Sequence, residues 1–390
     1  MALPSYTLST SVLNVDCTSA YKIIFLPPAS TIQGVPLLIR DNTGLCSQES
    51  SIFVSTQGLD LLDRYESTIR LSTGYQSVRF VAWQETQYAI LQNYMLGLTP
   101  FITQFPEGYA WIARESVRLW RCVASSSSGA TLVAGVGGGR LYVSINAGGI
   151  WTAYGPTLVW RGVAVSSTGT KMVAVANGDR IYTSTNTGVS WTPRASSKSW
   201  TCVCSSSDGS ILLAGATSDF LYISTNSGVS WTFTNINADY TAVACSSDGS
   251  VMFAATNGGT LYVSTNSGST WTSRDSARNW TGLACSSDGV TAYATEGTYI
   301  YKSTDTGTTW TANTSYSAAW RSISCDSPGT TVVAINGTSG SIQLSVDSGV
   351  TFVQTGDSDT YGPVAIDGNA NQILTAGTPG TLYVGLLQLL

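Results

Sequence analysis

One short motif, Ser-x-Asn/Asp-x-Gly-x-x-Trp, recurs along this chain and limits what it can fold into. It stands at Ser144, Asn146, Gly148 and Trp151, and again at Ser184, Asn186, Gly188 and Trp191. Further copies are Ser224, Asn226, Gly228 and Trp231, then Ser264, Asn266, Gly268 and Trp271, then Ser303, Asp305, Gly307 and Trp310. A sixth copy, Ser345, Asp347 and Gly349, has Phe352 in the tryptophan place. The serine returns every 39 to 42 residues. A period of that size signals supersecondary units that bury their apolar faces only against one another.

A second landmark keeps the same phase. Aromatic residues stand at Trp120, Trp160, Trp200, Tyr240, Trp280, Trp320 and Tyr361. Each precedes a short apolar run such as 241–245, a Ser/Asp/Gly turn such as 246–249, and a second apolar run such as 251–255. A third run, such as Leu261 to Val263, enters the repeated motif, and a fourth begins at its tryptophan. Short runs bounded by turn residues predict four strands per unit. The runs are apolar on both faces, as in a sheet covered on both sides.

Four-stranded units of this length, repeated radially, predict a β-propeller. Seven aromatic starts predict seven blades. The seventh unit ends at Leu382 to Val384 without a fourth strand. Residues 109–114 supply it, because Trp111 precedes Trp120 by the nine residues that separate Trp191 from Trp200. Closing the ring this way removes two sheet edges. The whole chain reads as all-β, with a module over 1–100, a linker over 101–108 and the propeller over 109–390. Strand-like runs at 22–26, 35–40, 51–55, 67–71, 77–83 and 88–91 make the first module a small β-sandwich or prism-like domain.

The six motif copies resemble the Asp-box (BNR) repeats of sialidase-like propellers. The resemblance covers 108–385 and implies that Asn146, Asn186, Asn226, Asn266, Asp305 and Asp347 shape turns, with Trp151, Trp191, Trp231, Trp271 and Trp310 covering them. It places these turns away from the catalytic face. The stretch Ile24 to Ile32, the hairpin Leu38 to Gly44 and the turn Ser55 to Gly58 resemble a β-module in structural proteins of large DNA viruses and phage tails. That resemblance implies anchoring or oligomerisation on a particle.

Composition narrows the function. Charged residues are 11% of the chain, the net charge is −5, and there is no basic block. Nucleic acid is therefore not an expected partner. No apolar span is long enough for a membrane helix. The N-terminus lacks the charged start and apolar core of a signal peptide, so synthesis in the host cytoplasm is expected. The chain has no histidine, which excludes His-based acid–base catalysis and histidine metal ligands. Of eight cysteines, Cys122, Cys202, Cys204, Cys245, Cys285 and Cys325 fall in first strands and read as small buried hydrophobes. Cys17 and Cys46 leave a disulfide open.

A ligand face is expected where loops join the second strand to the third and the fourth to the next blade. The segments 193–199, 232–239, 273–279, 311–319 and 353–360 are read as such loops. They carry Arg194, Phe233, Arg274, Arg278 and Tyr316. Arg121, Arg161 and Arg321 follow ring aromatics and are expected to point into a channel, where three guanidinium groups suit an anion. Sialidases need three arginines with a Tyr–Glu pair and an Asp acid, and glutamate is scarce here. Asp208, Asp248 and Asp288 repeat in phase within a hairpin, as structural residues do. The sequence thus predicts a non-enzymatic virion-surface protein without cofactor. Its expected partner is a capsid or other structural protein or a host-surface glycan, with homo-oligomerisation through the first domain. An intracellular assembly factor and a glycoside hydrolase are the other readings.

Overall fold

The computed structural model describes residues 111–386 in full, apart from 339, 356–361 and 378. At 109, 110, 361 and 387, and in the strands of residues 1–108, it describes the backbone alone. Every regular element among the described residues is a strand. The chain divides into two units, Met1–Pro106 with Gln388–Leu390, and Glu107–Leu387. Cys17 and Cys46 lie outside the described residues.

Unit one has two sheets. One orders Ser5–Tyr6, Lys22–Leu26, Ile52–Thr56 and Thr68–Leu71. The other orders Val12–Val15, Pro36–Asp41, Gln76–Gln84, Gln87–Met95 and Leu61–Leu62. Both mix parallel and antiparallel pairs.

The strands of unit two pair into seven antiparallel sheets among the described residues. Their innermost strands include Trp120–Ser125, Tyr240–Cys245, Trp320–Cys325 and Tyr361–Ile366. Elsewhere one long strand, such as Thr192–Ser205, ends one sheet and begins the next. The last sheet takes its outermost strand from Tyr109–Arg118, which pairs antiparallel with Gly380–Leu387. This strand runs past residue 114 because two bulges, after Ala113 and after Glu115, carry the ladder on.

The seven sheets close a circle. Ser127 donates its backbone N–H to Ser167, Ser167 to Ser207, and so on through Ser247, Ser287 and Ser327 to Gly368. Gly368 then donates to Ser127, and all seven distances lie between 2.7 and 3.2 Å. Each Ser/Asp/Gly turn thus satisfies its neighbour's backbone, which a buried turn requires.

Side chains lock adjacent sheets. Trp160 is fully buried among Leu141, Val143, Val163 and Met172, residues of two successive sheets. Its indole N–H donates to the Gly139 carbonyl at 3.0 Å, and its ring meets Tyr182 edge-on at 5.3 Å. Trp120, Trp200 and Trp280 repeat the edge-on pairing with Tyr142, Tyr222 and Tyr301. Electrostatics of the ring faces favours this geometry, adding about 0.5–1.5 kcal/mol per pair to area burial.

The join of last and first sheets carries a buried acid. Asp367 is 1% exposed, and its Oδ1 accepts from the N–H groups of Asn371 (2.7 Å) and Gln372 (3.0 Å). Its Oδ2 and Gln372 Oε1 find no donor among the described residues, and both lie beside Gly129. Gln372 Nε2 is committed to the Ala147 carbonyl, so the amide is held in this sense. Burial, with Asp326 nearby, holds the Asp367 carboxyl above the usual range. An acid whose folded pKa is raised binds its proton more tightly when folded, so its ionisation costs stability as pH rises. Asp367→Asn puts an N–H where Oδ2 has no donor. It is expected to raise stability at pH 7 by about 1 kcal/mol. The gain should vanish below about pH 4, where both states hold the proton. Thermal unfolding across that range reads both arms.

Candidate functional site

The inner strands surround one channel. Its first mouth is a cavity of about 370 Å³ lined by residues of all seven inner strands, including Arg121, Arg161 and Arg321. These positions alternate with buried residues such as Trp120 and Cys122, so strand periodicity aims them into the channel. The corresponding residues of the other sheets are Thr201, Thr241, Thr281 and Gly362. In ring order, Arg321, Gly362, Arg121 and Arg161 form one arc and the three threonines form the other.

The arcs differ in what they can offer. Thr201 Oγ1 donates to the Tyr240 carbonyl at 2.7 Å, and Thr281 Oγ1 to the Trp320 carbonyl at 3.0 Å. Those hydroxyl protons tie neighbouring inner strands. The three arginines are exposed, and among the described residues none makes an ion pair or a side-chain hydrogen bond. Past the arginines the channel is lined by aliphatic side chains, with Val123, Val163 and Ile323 among them. Its far mouth, about 300 Å³, is lined by Ser125, Cys245, Cys285 and Cys325. Burial raises the Cys285 and Cys325 thiols, which disfavours the reactive thiolate. Among the described residues no group of His, Cys, Asp or Glu is placed to hold a metal ion.

The other candidate residues do not join this mouth. The segments 193–199, 232–239 and 273–279 are not loops. Residues 193–199, 232–238 and 273–279 belong to the strands Thr192–Ser205, Thr232–Ala238 and Thr272–Cys285, whose bulges let the ladder pass positions that read as breaks, and Asp239 follows the second of these strands. Arg194 donates from Nε to Thr183 Oγ1 at 3.1 Å. Arg278 lies over the Tyr301 ring, 4.7 Å from its centroid, and within 3.8 Å of Asp275. Arg274 pairs across strands with Leu261 and is half-buried. Phe233 is exposed and stacks on Phe220 at 5.3 Å. Tyr316 packs on Trp320 at 5.5 Å. A groove of about 480 Å³ beside Arg121 and Arg161 adds Asn177, Thr217, Asp239 and Asn257. Asp239 Oδ1 accepts from the N–H (2.7 Å) and hydroxyl (2.8 Å) of Ser218.

The six repeated turns use their polar atoms internally. Ser264 Oγ donates to Asn266 Oδ1 and accepts from the Gly268 N–H, at 3.0 and 2.9 Å. Asn266 then accepts from the Thr270 N–H and donates to its hydroxyl. At Asp305 the Thr309 hydroxyl donates instead, at 2.7 Å, so either acid or amide completes the turn. Asn146, Asn186, Asn226 and Asp347 likewise accept from the backbone N–H four residues on. Trp151, Trp231, Trp271 and Trp310 each donate to the turn's glycine carbonyl. Trp191 covers its turn without that bond.

The hairpin acids are likewise committed. Asp208 accepts from Ser206 Oγ (2.6 Å) and from the Ser210 N–H and hydroxyl, which lower its carboxyl to about 2. Asp248 and Asp288 are lowered by the same bonds from Ser246 and Ser286. A lowered folded pKa gives stability that is present above the unfolded value and lost as pH falls through the folded one. Acid unfolding should therefore steepen between about pH 4 and pH 2, and Asp208→Asn should flatten that limb in a pH titration of circular dichroism.

Solved structures similar to this chain share one architecture. YCF48 from Cyanidioschyzon merolae aligns with a TM-score of 0.57 at 13% identity, over 70% of this chain and 98% of its own. The β-propeller domain of Cps50 (Swd1) from Myceliophteria thermophila gives 0.59 at 11% identity, over 72% and 100%. The GH74 xyloglucanase from Xanthomonas campestris gives 0.57 at 15% identity, over 70% of this chain and 53% of that enzyme. A further structure is YCF48 bound to D1 peptide, at 0.58 and 13% identity. No protein-family model matches the chain, and no curated protein matches it. The chain contains a β-propeller.

Proposed function

We propose that this chain is a non-enzymatic binding protein of a large virus particle's surface, a capsid-associated, spike or fibre component. Its seven-bladed Asp-box propeller recognises a capsid protein, another structural protein or a host glycan. Its first domain, a β-sandwich, anchors or oligomerises it. The observation that carries the binding role is the arc of Arg121, Arg161 and Arg321, exposed at one channel mouth and in no ion pair among the described residues. The internally satisfied turns support the Asp-box reading, and the closed circle of backbone bonds supports seven blades. The two sheets of the first unit support the sandwich. YCF48, solved with a bound peptide, is an instance of this fold holding a protein segment.

Hydrolysis by a carboxylate pair needs two acids flanking the scissile bond. Among the described residues lining the mouth and its groove, Asp239 is the one carboxylate, and Ser218 holds it. That supports the non-enzymatic reading. Immunogold electron microscopy of particles from the source, with an antibody against the propeller, tests the setting. Gold on intact particles is the expected result. Gold dispersed in cytoplasm with bare particles overturns it in favour of an assembly factor.

A further inference from the structure

The arginine arc has built support beneath it. A Cβ placed on Gly137 would sit 2.9 Å from Arg121 Cγ and 3.3 Å from its Nε. A Cβ on Gly337 would sit 2.7 Å from both Cγ and Cδ of Arg321. Two glycines on the second strands or just past them thus leave the slots in which these arginine stems lie. Any larger residue would push the guanidinium groups away from where they stand.

Charge and shape then define the ligand. The whole chain carries −5, yet these three cations form no ion pair among the described residues, and Asp239, the carboxylate of the adjoining groove, is taken by the N–H and hydroxyl of Ser218. Arg121 and Arg161 belong to adjacent sheets, whereas Arg321 lies two sheets from Arg121 with Gly362 between. That spread suits several carboxylates strung along a chain, each taken by its own arginine through paired N–H···O bonds. A sugar would want a planar aromatic face. The aromatic rings at this mouth and groove, Trp120, Trp200 and Tyr240, are at most 1% exposed and offer none. The adjoining groove, which also holds Asp239, adds the amides of Asn177 and Asn257, which can pair with peptide backbone.

We infer that the mouth binds a short acidic segment of a protein partner, laid along the arc from Arg321 through Arg121 to Arg161. This rests on the binding reading above but names its chemistry. Full-length protein titrated with fluorescein-labelled hexaglutamate, followed by anisotropy, tests it. Saturable binding that weakens as salt rises is expected, with hexalysine inert. Arg161→Ala, at an exposed position, should weaken binding about tenfold. Gly137→Ala keeps every charge and should weaken it too, with its folding checked by thermal unfolding. Equal binding by the Arg121→Ala/Arg161→Ala/Arg321→Ala triple variant would overturn the inference. So would competition by inorganic phosphate or sialyllactose at concentrations as low as the unlabelled peptide. Gold-labelled particles combined with no hexaglutamate binding would sink this inference alone.

Discussion

Trp160→Ala is expected to destabilise the propeller by about 3–5 kcal/mol. The indole is fully buried between successive sheets, so its removal leaves a void that β-strands tied on both sides cannot close. It also removes the donor to Gly139, leaving that carbonyl without its 3.0 Å partner. Trp160→Phe keeps an aromatic ring but not the N–H, and should recover more than half of the loss. Urea unfolding of the three proteins separates packing from the hydrogen bond. A loss below about 1 kcal/mol for the alanine variant would mean that the ring aromatics are not the inter-sheet lock.

Gly385→Val acts on the closure of the ring. Gly385 pairs with Trp111 of the closing strand, and a Cβ there would stand 2.8 to 3.0 Å from the indole ring. The valine must displace Trp111, and overpacking of this kind costs about 1–3 kcal/mol. Because the Tyr109–Arg118 strand is held largely by this one ladder, the loss should appear as local opening before global unfolding. Limited proteolysis should then cut near residues 109–118 well below the melting temperature, while wild type stays intact. Equal protection in both proteins would show that other contacts hold the closing strand.

The propeller was legible because each unit repeats its turn chemistry. A serine, an Asn or Asp and a glycine at fixed spacing can satisfy one another locally, as Ser264, Asn266 and Gly268 do, so the signal survives without tertiary context. The aim of Arg121, Arg161 and Arg321 was legible too, because they follow in-phase aromatics on strands of period two. What was misread was part of the rest of the face, since 314–319 is a loop as expected. Stretches such as 193–199 and 273–279 are polar and carry residues with positive φ, Ala195 and Asp275, which imitate loops. Bulges absorb those residues within continuous strands, and pairing across a bulge depends on partners some twenty residues away. Two further features needed coordinates. Gly137 reads as one glycine of a run, and only the fold puts Arg121 across it. Asp367 stands where five hairpins have serine and one has Asp326, and its lack of a donor depends on Gln372 turning towards Ala147.

Binding of the full chain to the purified major structural protein of the source particles, measured by surface plasmon resonance, tests the central claim most directly. Wild type should bind with an affinity that falls as salt rises, and the Arg121→Ala/Arg161→Ala/Arg321→Ala variant should lose at least a hundredfold. Equal binding by wild type and variant, or none by either, would contradict a recognition role for the arginine mouth.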